Sequence, residues 1–234
     1  MRLNAMFSAC ALAVVSLHAL ADPVSGTTSG AWVNPSPSAS PIVTTGVGTP
    51  VFTWGDATGF GTGPNSLTFT AAPGFASTTE TPFLVGSISY FNGTTALGTN
   101  PDSVQLALTL DFTNPAIPPV ISDYTFNLIT TTNTSDPDAS ADYVLLPSAF
   151  STTTFVIGTT TYDVKLTGFS NVVGDGFLGS DDTEFHVREG GTASADLSAV
   201  VTTETAPVPE PQNMALMIAG LGMVGLVARR RTRR

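Results

Sequence analysis

The chain has 234 residues, a length at which a single domain is the prior. Hydrophobic residues make up 42% and charged ones only 11%, which excludes a highly charged disordered chain and a coiled coil. The net charge of −10 hides an asymmetry: between Asp22 and Pro209 only Lys165 and Arg188 stand against 17 acidic residues, a balance of −15. Such a surface repels phosphate backbones, so nucleic acid is excluded as a partner. It can attract divalent cations. The 36 threonines, 22 glycines and 17 prolines are the composition of strands and turns. β-Branched residues suit pleated strands, and Gly and Pro punctuate turns.

Residues 1–21 read as a secretory signal peptide, a short signal helix for the Sec export machinery. Arg2 supplies the positive start and Ala9 to Leu17 the apolar run. Ala19-Leu20-Ala21 is an A-x-A cleavage site, placing the mature start at Asp22. The alternative is an uncleaved N-terminal anchor. Cys10 is the only cysteine and lies in this segment. After its removal no disulfide or cysteine-ligated metal is possible.

Residues 22–203 form the predicted body. Period-two alternation recurs along it. Val104, Leu106, Leu108, Leu110 and Phe112 share one face, against Gln105, Ala107, Thr109 and Asp111. Tyr124/Phe126/Leu128 and Tyr162/Val164/Leu166 repeat the pattern. Shorter pieces are Phe52/Trp54, Leu67/Phe69, Phe185/Val187 and Leu197/Ala199/Val201. Turns are predicted at Asn114-Pro115 through Pro119, Asp136-Pro137-Asp138 and Gly174-Asp175-Gly176, with a loop at Pro35–Pro41. Asn92-Gly93 predicts a two-residue hairpin after a strand that buries Leu84, Ile88 and Tyr90. The fold class is therefore all-β: an antiparallel β-sandwich, jelly-roll-like.

Candidate chemistry is sparse. His186 is the only histidine after residue 21, so zinc is improbable. With Phe185 and Val187 inward, Glu184, His186 and Arg188 line an outer strand face. Two loop clusters of carboxylates, Asp136/Asp138/Asp142 and Asp175/Asp181/Asp182/Glu184, could hold Ca²⁺, the one cofactor considered. Neither has the EF-hand spacing, and solvated acidic loops are the plainer reading of both. A glycosidase needs two carboxylates across a cleft, and among 17 acids some such pair arises by chance. No G-x-S-x-G, P-loop or dinucleotide fingerprint occurs. Trp32, Trp54, Phe60 and Tyr90 could form a platform for sugars or belong to the core. Trp54 alternates with Phe52, which favours core. Phe60 lies in the Gly-rich loop Gly55–Gly63.

The C-terminus is the most specific feature. A polar linker, residues 204–211, ends in Val208-Pro209-Glu210-Pro211. Residues 212–228 form a predicted hydrophobic transmembrane helix. Fifteen apolar residues, Met214 to Ala228, rise about 22 Å, somewhat short of a hydrocarbon core of about 30 Å. Snorkelling by Arg229 closes part of the gap. Arg229, Arg230, Arg231, Arg233 and Arg234 form a basic tail, residues 229–234, and a stop-transfer signal on the cytoplasmic side. A buried core helix is the alternative for a run this short.

This tail resembles the PEP-CTERM sorting signal of Gram-negative, exopolysaccharide-producing bacteria. The matching residues are Val208-Pro209-Glu210-Pro211, Ala219-Gly220-Leu221-Gly222 and Ala228-Arg229-Arg230-Arg231. Gln212, Asn213 and Met214 stand where members carry Ser or Thr and an aromatic. The resemblance implies recognition by an exosortase-type membrane protease, removal of the tail and delivery from the inner membrane to the surface. Its logic is that of an address rather than a permanent span. The body resembles the choice-of-anchor K domain of bacterial surface proteins. Gly30-Ala31-Trp32, Gly46-Val47-Gly48-Thr49, Phe52-Thr53-Trp54-Gly55-Asp56, Ser66-Leu67-Thr68-Phe69, Tyr90-Phe91-Asn92-Gly93-Thr94 and Val104-Gln105-Leu106 carry that likeness. It implies a surface-displayed β-domain and no catalytic residues. The expected function is a non-enzymatic, structural or adhesive protein of an extracellular polysaccharide or biofilm matrix. A carbohydrate- or calcium-binding module is the alternative, and a glycan-active enzyme the third.

Overall fold

The computed structural model describes residues 21–146 and 153–205, together with Leu216, Ala219, Gly220 and Met223. The expected signal helix and most of the expected transmembrane helix lie outside these residues, although the four isolated C-terminal positions are helical. Among the described residues no helix is long and apolar enough to cross a membrane.

Residues 21–205 supply only strands and loops to the description. In chain order the strands are β1 (Pro23–Ser36), β2 (Thr44–Thr45), β3 (Val51–Trp54), β4 (Asn65–Ala71), β5 (Phe75–Thr78), β6 (Phe83–Phe91) and β7 (Ser103–Asn114). Then follow β8 (Val120–Ile129), β9 (Asp142–Leu145), β10 (Thr153–Ile157), β11 (Thr160–Gly174), β12 (Gly176–Leu178), β13 (Glu184–Val187) and β14 (Thr192–Thr205). They form two seven-stranded sheets, ordered β12-β13-β9-β8-β7-β1-β5 and β10-β11-β14-β6-β4-β3-β2. Every pairing is antiparallel. The all-β expectation holds, and β14 runs two residues past the expected body boundary at 203.

The alternating faces lie where the periodicity puts them. Val104, Leu106, Leu108, Leu110 and Phe112 are all buried, as are Tyr124, Phe126 and Leu128. So are Tyr162, Val164 and Leu166. The two sheets bury these faces against each other in one core. Aromatic rings bridge them: Phe75 of β5 stacks on Phe83 of β6 at 4.4 Å, and Phe112 of β7 meets Phe155 of β10 at 5.5 Å. Phe169 of β11 sits between Phe126 and Phe185, at 6.2 and 5.6 Å. Polar bonds also cross. Thr28 Oγ1 donates to Val85 O at 2.6 Å, and the Tyr124 hydroxyl donates to Val164 O at 3.3 Å. Buried carbonyls need such donors, because an unmet polar group inside costs about 1–3 kcal/mol.

Two expectations are corrected. Asn92-Gly93 is not a hairpin: β6 pairs with β4 and β14, and the next strand, β7, belongs to the other sheet. Asn92 is fully buried and its amide donates to Val187 O at 2.9 Å. A side chain committed to the interior overrides the turn preference of the dipeptide. Leu84 is 41% exposed, although Ile88 and Tyr90 are buried. The β6–β14 register shifts between Leu197 and Ser198, opposite Gly86 and Leu84. That irregularity changes the phase of the alternation within β6.

Of the four candidate platform aromatics, Trp32, Trp54 and Tyr90 are core, whereas Phe60 is 48% exposed. Trp32 meets Phe126 edge-on at 5.3 Å and donates from Nε1 to Pro50 O at 3.1 Å. Phe52, Trp54 and Tyr90 stack in sequence along the other sheet, at 5.5 and 5.6 Å.

Candidate functional site

The strand ends gather polar residues at one place. The Thr130-Thr131-Thr132 run leaves β8, the segment after Asn92 leaves β6, and the turn Arg188–Gly191 joins β13 to β14. Between them lies a cleft of about 450 Å³. Thr94, Thr95, Thr130, Thr131, Thr132 and Asn133 wall it, and Asp142 and Glu189 bring two carboxylates to it.

Asp142 opens β9 opposite Val187 of β13. The inward phase of the strand buries it to 3% exposure. Its Oδ1 accepts from Thr131 N at 2.7 Å and from Thr131 Oγ1 at 3.2 Å. Burial pushes its carboxyl up to about 6; the Thr131 bonds oppose this and the nearby Glu189 charge adds to it. Glu189 accepts a short hydrogen bond from Thr94 Oγ1. Tyr90 is buried in the core, 2% exposed. Burial holds its phenol well above the ordinary range, and the charges of Asp142 and Glu189 act in the same direction.

The wall is held by backbone and amide bonds. Gly93 N donates to Asn65 Oδ1 at 2.9 Å. Asn92 exchanges bonds with the turn: its N donates to Gly191 O, and its carbonyl accepts from Gly190 N. Asn92 Oδ1 is a buried acceptor with no donor among the described residues.

The remaining carboxylates of the two expected calcium clusters are placed apart from this pair or bound to their own loops. Asp136 Oδ1 accepts from Asp138 N at 3.0 Å, closing its turn. Asp138 Oδ1 takes Arg188 Nε at 2.6 Å. Asp181 Oδ1 accepts from the Thr183 hydroxyl and N–H, which hold its carboxyl below the usual range. Asp182 lies beside Gly168, its carbonyl accepting from Phe169 N at 2.7 Å. Asp175 uses its backbone, donating to Thr192 O and accepting from Arg188 N. Among the described residues no three His, Cys, Asp or Glu side chains come together as a metal-binding group.

Glu184, His186 and Arg188 are partly exposed while Phe185 and Val187 are buried, as the alternation requires. The structure adds an aromatic ladder on that outer face. The His186 ring lies between Tyr143 at 4.3 Å and Phe177 at 4.9 Å, with interplanar angles of 22° and 13°. Glu184 Oε2 is 3.2 Å from His186 Nε2, and the Arg188 guanidinium lies 5.6 Å from the Phe177 centroid. One feature of the cleft escaped the sequence reading: Glu189 as the neighbour of Asp142. The Gly190-Gly191 pair after Glu189 was the available signal that a turn presents that residue.

The sorting motif Val208-Pro209-Glu210-Pro211, the arginines Arg229, Arg230, Arg231, Arg233 and Arg234, and Ala19 of the cleavage site lie outside the described residues. Ala21 is described and exposed. Comparison with protein families finds the PEP-CTERM protein-sorting motif at residues 207–233. That span begins two residues beyond the end of β14 and contains the Pro-Glu-Pro motif, the apolar run and the first four of the five arginines. Such a signal implies export and exosortase processing at the membrane of a Gram-negative bacterium. No curated protein matches the chain.

Proposed function

We propose that this chain, with a PEP-CTERM sorting signal at its C-terminus, is a non-enzymatic surface protein of an extracellular polysaccharide or biofilm matrix, structural or adhesive in role. The Sec machinery exports it, and cleavage after Ala21 removes the signal peptide, residues 1–21. The segment 212–228 holds it in the inner membrane with the body in the periplasm and residues 229–234 in the cytoplasm. An exosortase-type protease then acts near Pro209-Glu210-Pro211 and the body passes to the surface. We read that body as a jelly-roll-like sandwich of the choice-of-anchor K type.

One observation carries the proposal: the sorting motif at 207–233 follows directly on a strand-built body ending at Thr205. An address placed there can be cut away without removing a strand. The test is cell fractionation with mass spectrometry of both termini. The expected product starts at Asp22, ends near Pro209 and is found in the matrix or outer surface. An intact chain ending at Arg234 in the inner membrane would overturn the sorting reading.

A second reading, a carbohydrate- or calcium-binding module, is supported by the cleft that brings Asp142 and Glu189 together. Cleavage and surface delivery are neutral between the two readings.

A further inference from the structure

The cleft has a charge problem that its own side chains do not solve. Two carboxylates line it, and the basic residues of the body are elsewhere: Arg188 pairs with Asp138, and Lys165 lies on β11 opposite Val200. Asp142 is nearly fully buried. Only its Oδ1 is hydrogen-bonded among the described residues, to donors from Thr131. A buried carboxylate with a second one lining the same cleft asks for a positively charged group.

The walls say more about that group. A volume of about 450 Å³ is far larger than a bare ion and lies in the usual range for a small organic ligand. Thr130 and Thr132 offer hydroxyls that donate or accept, Thr94 and Thr95, which donate to Glu189 and Asn100, offer acceptor oxygens, and Asn133 adds an amide. No aromatic ring is among the lining residues, so the cleft does not select by stacking. A ligand rich in hydroxyls and bearing one ammonium meets all of these conditions.

We propose that the Asp142–Glu189 cleft binds an amino sugar through its unacetylated ammonium group, with the threonine-lined walls taking the sugar hydroxyls. The ammonium sits between the two carboxylates. This deepens the binding-module reading and does not depend on the sorting signal. Acetylation removes the charge and adds bulk, so an N-acetylated sugar is excluded.

The test uses the full chain purified in detergent and a fully de-N-acetylated glucosamine tetramer as probe. The N-acetylated tetramer and CaCl₂ alone are the other arms. Titration calorimetry and thermal melting are both read. The de-N-acetylated tetramer is expected to bind and to raise the melting temperature. The N-acetylated tetramer is expected to do neither. Glu189→Gln, which keeps an acceptor for Thr94, is expected to melt like the parent without ligand and to bind at least tenfold more weakly. Binding is also expected to weaken from pH 7 to pH 5, where Asp142 gains a proton; Glu189 and Tyr90 are the other titratable groups facing it. Equal binding of both tetramers, stabilisation by CaCl₂ with the tetramers inert, or undiminished binding by Glu189→Gln would each overturn the proposal. So would hydrolysis of the tetramer, which would make the cleft catalytic.

Discussion

The phenol of Tyr162 donates a hydrogen bond to the Asp22 carboxylate, 3.2 Å away and 140 residues distant in sequence. Asp22 is tied again at its backbone: its N donates to Thr79 Oγ1 at 3.0 Å and its carbonyl accepts from Thr79 N at 2.8 Å. The residue expected to start the mature chain is thus held from both sheets, one through β11 and one beside β5. Tyr162→Phe should lower stability by about 1 kcal/mol, or a few degrees in melting temperature. A melting temperature identical to the parent's would show that Asp22 is not held in this way.

Asp142 should make stability depend on pH in an unusual direction. Its carboxyl is pushed up to about 6 from an ordinary value of 3.8. A raised acid contributes stability that is complete below the lower value and is lost as pH climbs through the higher one. Asp142→Asn, which keeps an acceptor for Thr131, should therefore be more stable than the parent at pH 7.5 by roughly 2 kcal/mol. The gap should close toward pH 4.5. Urea denaturation of both proteins at the two pH values decides this, and a gap constant with pH would refute it.

A buried neutral bond should outweigh an exposed ionic one. Thr28→Val removes the donor to Val85 O between the sheets. That carbonyl keeps the Ala72 N–H at 3.1 Å, so the expected loss is about 1 kcal/mol rather than the full cost of an orphan. Arg188→Gln breaks the pair with Asp138, whose side chains are 39% and 62% exposed. Water screens that pair, and the expected change is about 0.5 kcal/mol or less. Paired denaturation curves would test the order; a larger loss for Arg188→Gln reverses it.

Gly26 tests the tightness of the β1–β7 ladder. A Cβ there would stand 2.2 Å from Asp111 O, a backbone atom that cannot step aside alone. The position coincides with a register shift between Ser25 and Gly26. Gly26→Ala should cost at least about 2 kcal/mol through overpacking. Gly59→Ala meets nothing within 4 Å and pays only for its φ of +87°, about 1 kcal/mol. Equal losses at the two sites would show that the ladder yields more readily than its spacing indicates.

The long strands were legible because one face of each is buried, so apolar residues fall two apart. β7 is the plainest case, with Val104 to Phe112 alternating without a break. β9, β10 and β12 are only three to five residues long, too short for periodicity to separate them from loops. Leu84 misled because an irregular register changes the phase within β6, which no local pattern reveals. Asn92 misled because Asn-Gly is a statement about neighbours, whereas its amide is bound by Val187, 95 residues away. The cleft was half legible. Asp142 stood out among acidic loop residues, but its partner Glu189 is brought there by β13, which pairs with β9 across a long sequence gap.

β14 is the last strand among the described residues and an inner strand of its sheet, with β11 on one side and β6 on the other. The chain leaves the body along a stretch, residues 200–205, that is held in its sheet by β11 alone. Any tug on the chain beyond Thr205 runs along β14. Antiparallel hydrogen bonds lie across the strand direction. Such a pull loads the β11 ladder in shear from Thr205 inward and reaches the β6 ladder at Ala199. A force entering at Thr205 is thus met by a row of bonds acting side by side rather than one at a time.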